Sequence, residues 1–195
     1  MKKILVTGIN GLIGGILKRH LDSLGGYELS ALNRSAAPGL TCTQADISDL
    51  EAIKPAFLGV DTVVHLAAFI EDLNDWHGNL STNIVGTYNV FEAARLAGVR
   101  RVVFASSGST VSGFETVAPY DAIVEGRYND VPKQFKKITH KDVWPSGVYG
   151  ASKIWGEAIG RHFADEYQIS MLCVRIGRVT SENLPVDSCH ASRFL

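Results

Sequence analysis

Cysteine is scarce in this chain: Cys42, Cys173 and Cys189 are the only three in 195 residues, far apart and without a CxxC pair. An odd, scattered set excludes a disulfide frame or a cysteine-built zinc site and reads as reduced thiols. Long hydrophobic runs are missing as well. No segment approaches the roughly 18 continuous apolar residues of a membrane span. The apolar start after Met1-Lys2-Lys3 breaks at Thr7-Gly8 before it becomes a signal peptide. A cytoplasmic protein with no membrane partner is the expectation. Neither charge dominates, since 19 Lys and Arg face 20 Asp and Glu for a net charge of -1. Without a basic field to hold a polyanion, nucleic acid is not an expected partner. His77, His140, His162 and His190 show no ligand spacing, so no metal is expected. A hydrolase Gly-x-Ser-x-Gly elbow and a Gly-Lys-Ser/Thr phosphate loop are both missing.

What is present is ordinary globular material: 46% hydrophobic residues, 20% charged and 19 glycines. The length suits one domain, 1–195, with a sizeable core. Residues 3–7 read as a buried strand, Gly8 to Leu21 as a glycine turn and helix, and Glu28 to Leu32 as a second strand. A weak strand at 41–43 precedes a helical stretch at 50–57. Strands follow at 61–66, 101–105 and 170–175, separated by helical patterns at 83–96 and 149–167. Apolar strands alternating with helices predict an α/β fold, a doubly wound parallel sheet of about six strands covered on both faces. Residues 113–148 break this rhythm. They form a long excursion rich in Pro, Asp, Lys and Tyr, either a surface detour with a short helix or a flap over a ligand.

Gly8-Ile9-Asn10-Gly11-Leu12-Ile13-Gly14 follows the first strand directly and opens a helix. There the turn lets backbone approach a pyrophosphate, whose charge meets the free N–H groups around Asn10, Leu12 and Ile13. Gly14 would let the helix lie close on the strand. The motif reads as a dinucleotide site for NAD or NADP. An NAD site commonly ends its second strand in a carboxylate that holds the ribose hydroxyls. Here the strand ends Leu32-Asn33-Arg34-Ser35, and Arg34 can pair with a 2′-phosphate, which favours NADP. The bland alternative is an exposed arginine. Asp46-Ile47, after the third strand, would sit at the adenine, the Asp on its exocyclic amine and the Ile on its face.

Tyr149 and Lys153 are four residues apart and so share one helix face. A tyrosine near its ordinary pKa of about 10 is a poor base. A neighbouring ammonium and a nicotinamide cation would favour its phenolate. Ser106-Ser107 ends the fifth strand, where parallel sheets place their crevices. Ser107 is chosen over Ser106 to hold a substrate oxygen against the base, with the two roles left open to exchange by strand alternation.

At these residues the chain resembles the extended short-chain dehydrogenase/reductase family in its NAD-dependent epimerase/dehydratase branch. The resemblance rests on Thr7-Gly8-x-x-Gly11-x-x-Gly14, Asp46-Ile47-x-Asp49, His65-Leu66-Ala67-Ala68 and Asn83-x-x-Gly86-Thr87. Phe104-Ala105-Ser106-Ser107, Tyr149-x-x-x-Lys153 and Arg175-Ile176-Gly177 complete it. It implies a Rossmann-like sheet, Tyr149 as acid/base, Lys153 on the nicotinamide ribose and Ser107 polarising the substrate. It further implies that Leu66, Ala67 and Ala68 lie along the cofactor. Asn83 would support the site from the cofactor side, and Ser106 would stand among the cofactor contacts.

The expected activity is hydride transfer at the hydroxyl or carbonyl of a sugar, sugar acid or nucleotide sugar. Phe-Ala-Ser-Ser and Arg-Ile-Gly look most like uronate and sugar dehydrogenases. Ser112-Gly113 replaces the Tyr-Gly common in nucleotide-sugar epimerases, and the Thr-Asp-Glu set of dehydratases is missing from 106–110. An epimerase is the nearer alternative, and a cofactor-binding module without catalysis the more distant one. The latter gains weight because family chains usually continue well beyond Arg175-Ile176-Gly177, into the substrate part. Pairing of two copies through the helices around Tyr149 is also implied. His65 reads as structural or near the cofactor, Trp144 as a core or interface aromatic with a pocket wall as its alternative, and Cys189-His190 receives no role.

Overall fold

The computed structural model describes residues 1–181. Cys189 and His190 lie outside the described residues. The elements run β1 (Lys2–Thr7), α1 (Leu12–Leu24), β2 (Tyr27–Asn33), β3 (Thr41–Gln44), α2 (Leu50–Ile53) and β4 (Thr62–His65). Then come α3 (Trp76–Gly78), a wide π-type helix at Asn79–Gly86, α4 (Thr87–Leu96), β5 (Arg101–Ser107), α5 (Tyr120–Val124), α6 (Gly147–Tyr167) and β6 (Ser170–Ile176). The six strands pair in parallel in the order β3-β2-β1-β4-β5-β6. The reversal of order beside β1 opens a crevice at the carboxyl ends of β1 and β4. Among the described residues, no helix is long and apolar enough to cross a membrane.

β1 is apolar from Ile4 to Val6 because neighbours hydrogen-bond it on both edges and helices cover both faces there. Its side chains alternate between two cores. Leu5 joins Leu32, Val63, Val102, Phe57, Phe91, Phe104 and Phe163 on the α4–α6 side, while Ile4 and Val6 join Ile9, Ala31 and Ala37 beneath α1. Coverage of the α1 face fades toward β6, where Leu172 and Val174 are 48% and 47% exposed.

α6 lies close on β5 because its inward positions are small. A Cβ at Gly156 would stand 2.5 Å from the Phe104 ring, and one at Gly150 would stand 2.5 Å from the Ser109 carbonyl. Above the sheet, Phe91 meets Phe104 and Phe163 edge-on at 5.6 and 5.8 Å. These contacts set the height of α6 over the strand ends, and hence of Tyr149 and Lys153.

Residues 113–148 fold as a surface excursion with short helical pieces, α5 among them. An aromatic chain of Tyr120, Phe114 and Trp144 holds it together, with ring centroids 5.6 and 5.1 Å apart. Trp144 sits against Gly113, where a Cβ would collide with the indole, while the rest of the side chain stays exposed.

Candidate functional site

The glycine turn is built by three close approaches. Gly8 has φ of +74°, and a Cβ there would lie 2.8 Å from the Ala67 nitrogen, so the loop after β4 can press onto it. Gly11 N–H donates to the Gly8 carbonyl at 3.1 Å. A Cβ at Gly14 would fall 2.5 Å from the Ile9 Cα, so the third glycine seats α1 on the strand end, as its spacing predicts. Leu12 and Ile13 open α1, and no side chain caps that end. Their backbone N–H groups therefore have no intrahelical partner and suit an anion.

A cleft of about 310 Å³ runs from this turn across the strand ends. Gly8, Asn10 and Gly11 form one wall, and Asn33, Arg34, Asp46 and Ile47 the far end. Leu66, Ala67 and Ala68 line its middle. Asn10 braces the far wall, its amide donating to Ser35 Oγ at 3.2 Å and to the Ala36 carbonyl at 2.9 Å. Asp46 Oδ1 accepts from Ser48 N–H at 2.8 Å. That bond holds the Asp46 carboxyl below its ordinary pKa against the opposing effect of burial, with the Ser48 hydroxyl and the Arg34 charge assisting. Thr82, Phe69 and Ile70 also line the cleft. Sequence reading missed them because nothing in the sequence says which way the loop at Phe69-Ile70 and the helix carrying Thr82 fold back over the strand ends.

Beyond the cleft, Tyr149 and Lys153 stack on one face of α6, the Lys153 ammonium 5.5 Å from the centre of the Tyr149 ring. Lys153 is 3% exposed, and its ammonium donates to the Ala105 carbonyl at 3.0 Å and lies 4.9 Å over the Phe104 ring. Burial lowers its pKa from 10.5 to about 8. The Tyr149 phenol is raised from its usual pKa by burial, and the nearby Ser107 hydroxyl pulls the other way. Ser107 Oγ accepts from Ser109 N–H at 3.1 Å. Tyr149 N–H donates to the Leu73 carbonyl at 2.9 Å, which ties the start of α6 to the loop after β4.

Two residues expected among the cofactor contacts have their side chains engaged inside the fold. Ser106 points with Phe104 to the α6 face and donates to Glu157 Oε1 at 2.5 Å, so its hydroxyl turns away from the crevice. Strand alternation sends Ser106 and Ser107 to opposite sides. Asn83 is 1% exposed, and its amide is fully engaged inside the fold. Its Oδ1 accepts from Phe69 N–H at 2.8 Å, and its Nδ2 donates to the Phe69 carbonyl at 3.0 Å and to Asn79 Oδ1 at 2.8 Å. Asn83 therefore shapes the cleft wall and does not reach into it.

His65 serves as structure. It is buried between Thr7 Oγ1 at 2.7 Å and Thr87 Oγ1 at 3.2 Å, and Thr7 Oγ1 also accepts from Ala67 N–H at 3.1 Å. Burial, with the Lys153 charge adding to it, lowers the His65 pKa to about 3. Among the described residues, no group of His, Cys, Asp and Glu could hold a metal ion.

Comparison with known proteins adds a family, two relatives and a solved structure. Residues 4–195 match the model of the NAD dependent epimerase/dehydratase family. The chain is 35% identical over 185 residues to an L-arabinose 1-dehydrogenase (NAD(P)(+)) of Haloferax volcanii, covering 91% of itself and 67% of that protein. It is 34% identical to a uronate dehydrogenase of Agrobacterium fabrum, covering 93% of itself and 63% of the relative. In structure it resembles a mutant uronate dehydrogenase from Agrobacterium tumefaciens complexed with NAD, with a TM-score of 0.72 at 29% identity, over 92% of this chain and 62% of that one. The chain thus spans about three-fifths to two-thirds of the length of these relatives.

Proposed function

The chain belongs to the NAD-dependent epimerase/dehydratase family, and from that premise we propose that it is an NAD(P)-dependent oxidoreductase acting on a hydroxyl or carbonyl of a sugar or sugar acid. One observation carries the reading: Tyr149, Lys153 and Ser107 converge beside a cleft that begins at the glycine turn. The cradle fits a dinucleotide. A Cβ at Gly8 or Gly14 would collide with backbone, and the uncapped start of α1 offers N–H donors to a pyrophosphate. When bound, a nicotinamide supplies two-electron redox chemistry.

The rest of the task falls to the chain. Ser107 orients the substrate oxygen, and Tyr149 takes its proton during oxidation and returns it during reduction. Burial by itself keeps the phenol protonated, so a positive charge is needed to draw it toward phenolate. Lys153 supplies that charge from behind the ring, and with a pKa of about 8 it still carries its proton at neutral pH.

For the cofactor, the reading favours NADP over NAD. Arg34 lines the far end of the cleft, and β2 ends in Asn33 with no carboxylate to receive ribose hydroxyls. The amide of Asn10 holds Ser35 in place beside it.

The test is to titrate NAD and NADP separately into the folded chain and then supply aldoses, uronates and sugar phosphates while following reduced-cofactor absorbance. Net accumulation of reduced cofactor supports a dehydrogenase. Sugar interconversion without accumulation points to an epimerase, and failure of both dinucleotides to bind refutes the reading. Tighter binding of NAD than of NADP refutes the Arg34 assignment alone.

A further inference from the structure

Three supports of the site converge on one carboxylate. Glu157 follows Tyr149 and Lys153 on the same face of α6, one turn past the lysine. Its Oε1 accepts from Ser106 Oγ at 2.5 Å and from Arg175 Nε at 2.8 Å, and its Oε2 accepts from Arg175 Nη2 at 2.7 Å. Arg175, on β6, turns Nη1 to the Asp142 carbonyl at 2.9 Å and the Thr139 carbonyl at 3.5 Å. Those carbonyls belong to a closed turn, because the Asp142 carboxylate accepts from Thr139 N–H and Oγ1 at 2.8 and 2.9 Å and pairs with Lys136. The excursion then runs through Trp144, whose N–H donates to the Thr110 carbonyl, into the start of α6.

We propose that Glu157 and Arg175 form a positioning unit that registers the Ser106–Ser107 end of β5 and the Thr139–Asp142 turn against α6, so that the Ser107 hydroxyl stays aimed at Tyr149. Neither residue reaches the cleft itself. Both side chains are less than one-fifth exposed, and apolar residues of similar volume commonly serve stability as well as a buried ion pair does. What an apolar pair could not supply is direction. The guanidinium fork fixes β6, α6 and the excursion at once, and the shared oxygen Oε1 fixes the rotamer of Ser106. Because neighbouring strand residues face opposite sides, holding Ser106 on Glu157 holds Ser107 on the crevice side. A swing of β5 at Ser106 would carry the Ser107 hydroxyl away from the phenol.

The kinetic side of this inference rests on the oxidoreductase reading, and the exchange side does not. The double variant Glu157→Leu/Arg175→Met removes both charges and strands neither, so the fold is expected to survive. Three quantities are measured on the full chain: amide hydrogen exchange of 105–110 and 139–144, dinucleotide affinity, and kcat and KM on an oxidised sugar. In the double variant, exchange in both segments is expected to rise about tenfold. Its kcat is expected to fall about tenfold or more while dinucleotide affinity stays within about threefold. Glu157→Gln keeps the Ser106 bond and one Arg175 bond but leaves the Arg175 charge unmatched, so where it folds like the parent it is expected to recover most of the exchange protection at 105–110. A well-folded double variant with exchange and kcat like the parent overturns the proposal, as does a well-folded Glu157→Gln whose exchange at 105–110 is as fast as the double variant's. If the double variant fails to fold, Ser106→Ala decides through exchange at 105–110, and parent-like exchange there overturns the link. A parent inactive on every sugar sinks the oxidoreductase reading, and exchange alone then decides this one.

Discussion

The Lys153 ammonium donates to the Ala105 carbonyl at 3.0 Å from a position almost wholly out of water. A cation held there with one carbonyl and two aromatic faces weakens the fold. Burial lowers its pKa from 10.5 to about 8, so the stability associated with its neutral form is present above about pH 10.5 and is lost as pH falls through 8. At neutral pH the cost is on the order of 3 kcal/mol, since each tenfold loss of proton affinity is worth about 1.4 kcal/mol.

Lys153→Met should therefore stabilise the chain at pH 7, by about 1–2 kcal/mol once the lost Ala105 bond is set against the relief of burial. Thermal or urea unfolding of both forms checks this, and the gain should shrink as pH rises toward 10. Turnover should be abolished in the same variant.

Tyr149→Phe should leave dinucleotide affinity within about threefold and lower kcat by about 10² to 10⁴-fold, the usual range for a positioned acid/base. Calorimetric titration with single-turnover kinetics separates the two effects. A kcat near that of the parent would remove the phenol from the proton transfer.

Two neighbouring glycines should respond in opposite directions. At Gly14 an added Cβ meets the Ile9 Cα and carbonyl oxygen at 2.5 Å, and neither is a flexible atom. Gly14→Ala should cost about 2 kcal/mol or more and weaken dinucleotide binding, because α1 must lift from the turn. At Gly15 the nearest atom is Arg19 Nη1 at 3.7 Å, and Gly15→Ala should stabilise α1 by up to about 1 kcal/mol. Paired unfolding curves measure both changes.

His65 sets an acid limit. Its pKa in the fold is about 3, below the ordinary 6.5, so its contribution is complete above about pH 6.5 and declines as pH falls toward 3. The full loss is on the order of 4–5 kcal/mol. His65→Gln keeps a neutral polar group and should flatten the acid limb of a stability–pH curve between pH 6 and 4. An unchanged limb would place the acid sensitivity elsewhere.

Much of the fold was legible from the chain alone. Ile4 to Val6 and Val102 to Ala105 are short apolar runs that end at Thr7-Gly8 and at Ser106, and such runs between helical periods permit little besides buried parallel strands. The Tyr149–Lys153 spacing puts both residues on one face of any helix, and the glycine spacing needs only local backbone geometry. The excursion was legible as an interruption, but its internal order was not. Its aromatic chain joins Phe114 to Trp144, far apart in sequence, and no periodicity records that.

What tertiary structure alone decided lies in contacts between distant segments. That Ser106 would spend its hydroxyl on Glu157, and Asn83 its amide on the Phe69 backbone, depends on how α6 and the loop after β4 settle on the sheet. The burial of Lys153 also comes from packing, through Gly156 letting α6 close on Phe104. Local sequence determines which atoms an element can present, because backbone sterics and side-chain period act over a few residues. The partner of each atom is chosen by the close-packed whole, where distant groups compete for the same buried donors and acceptors.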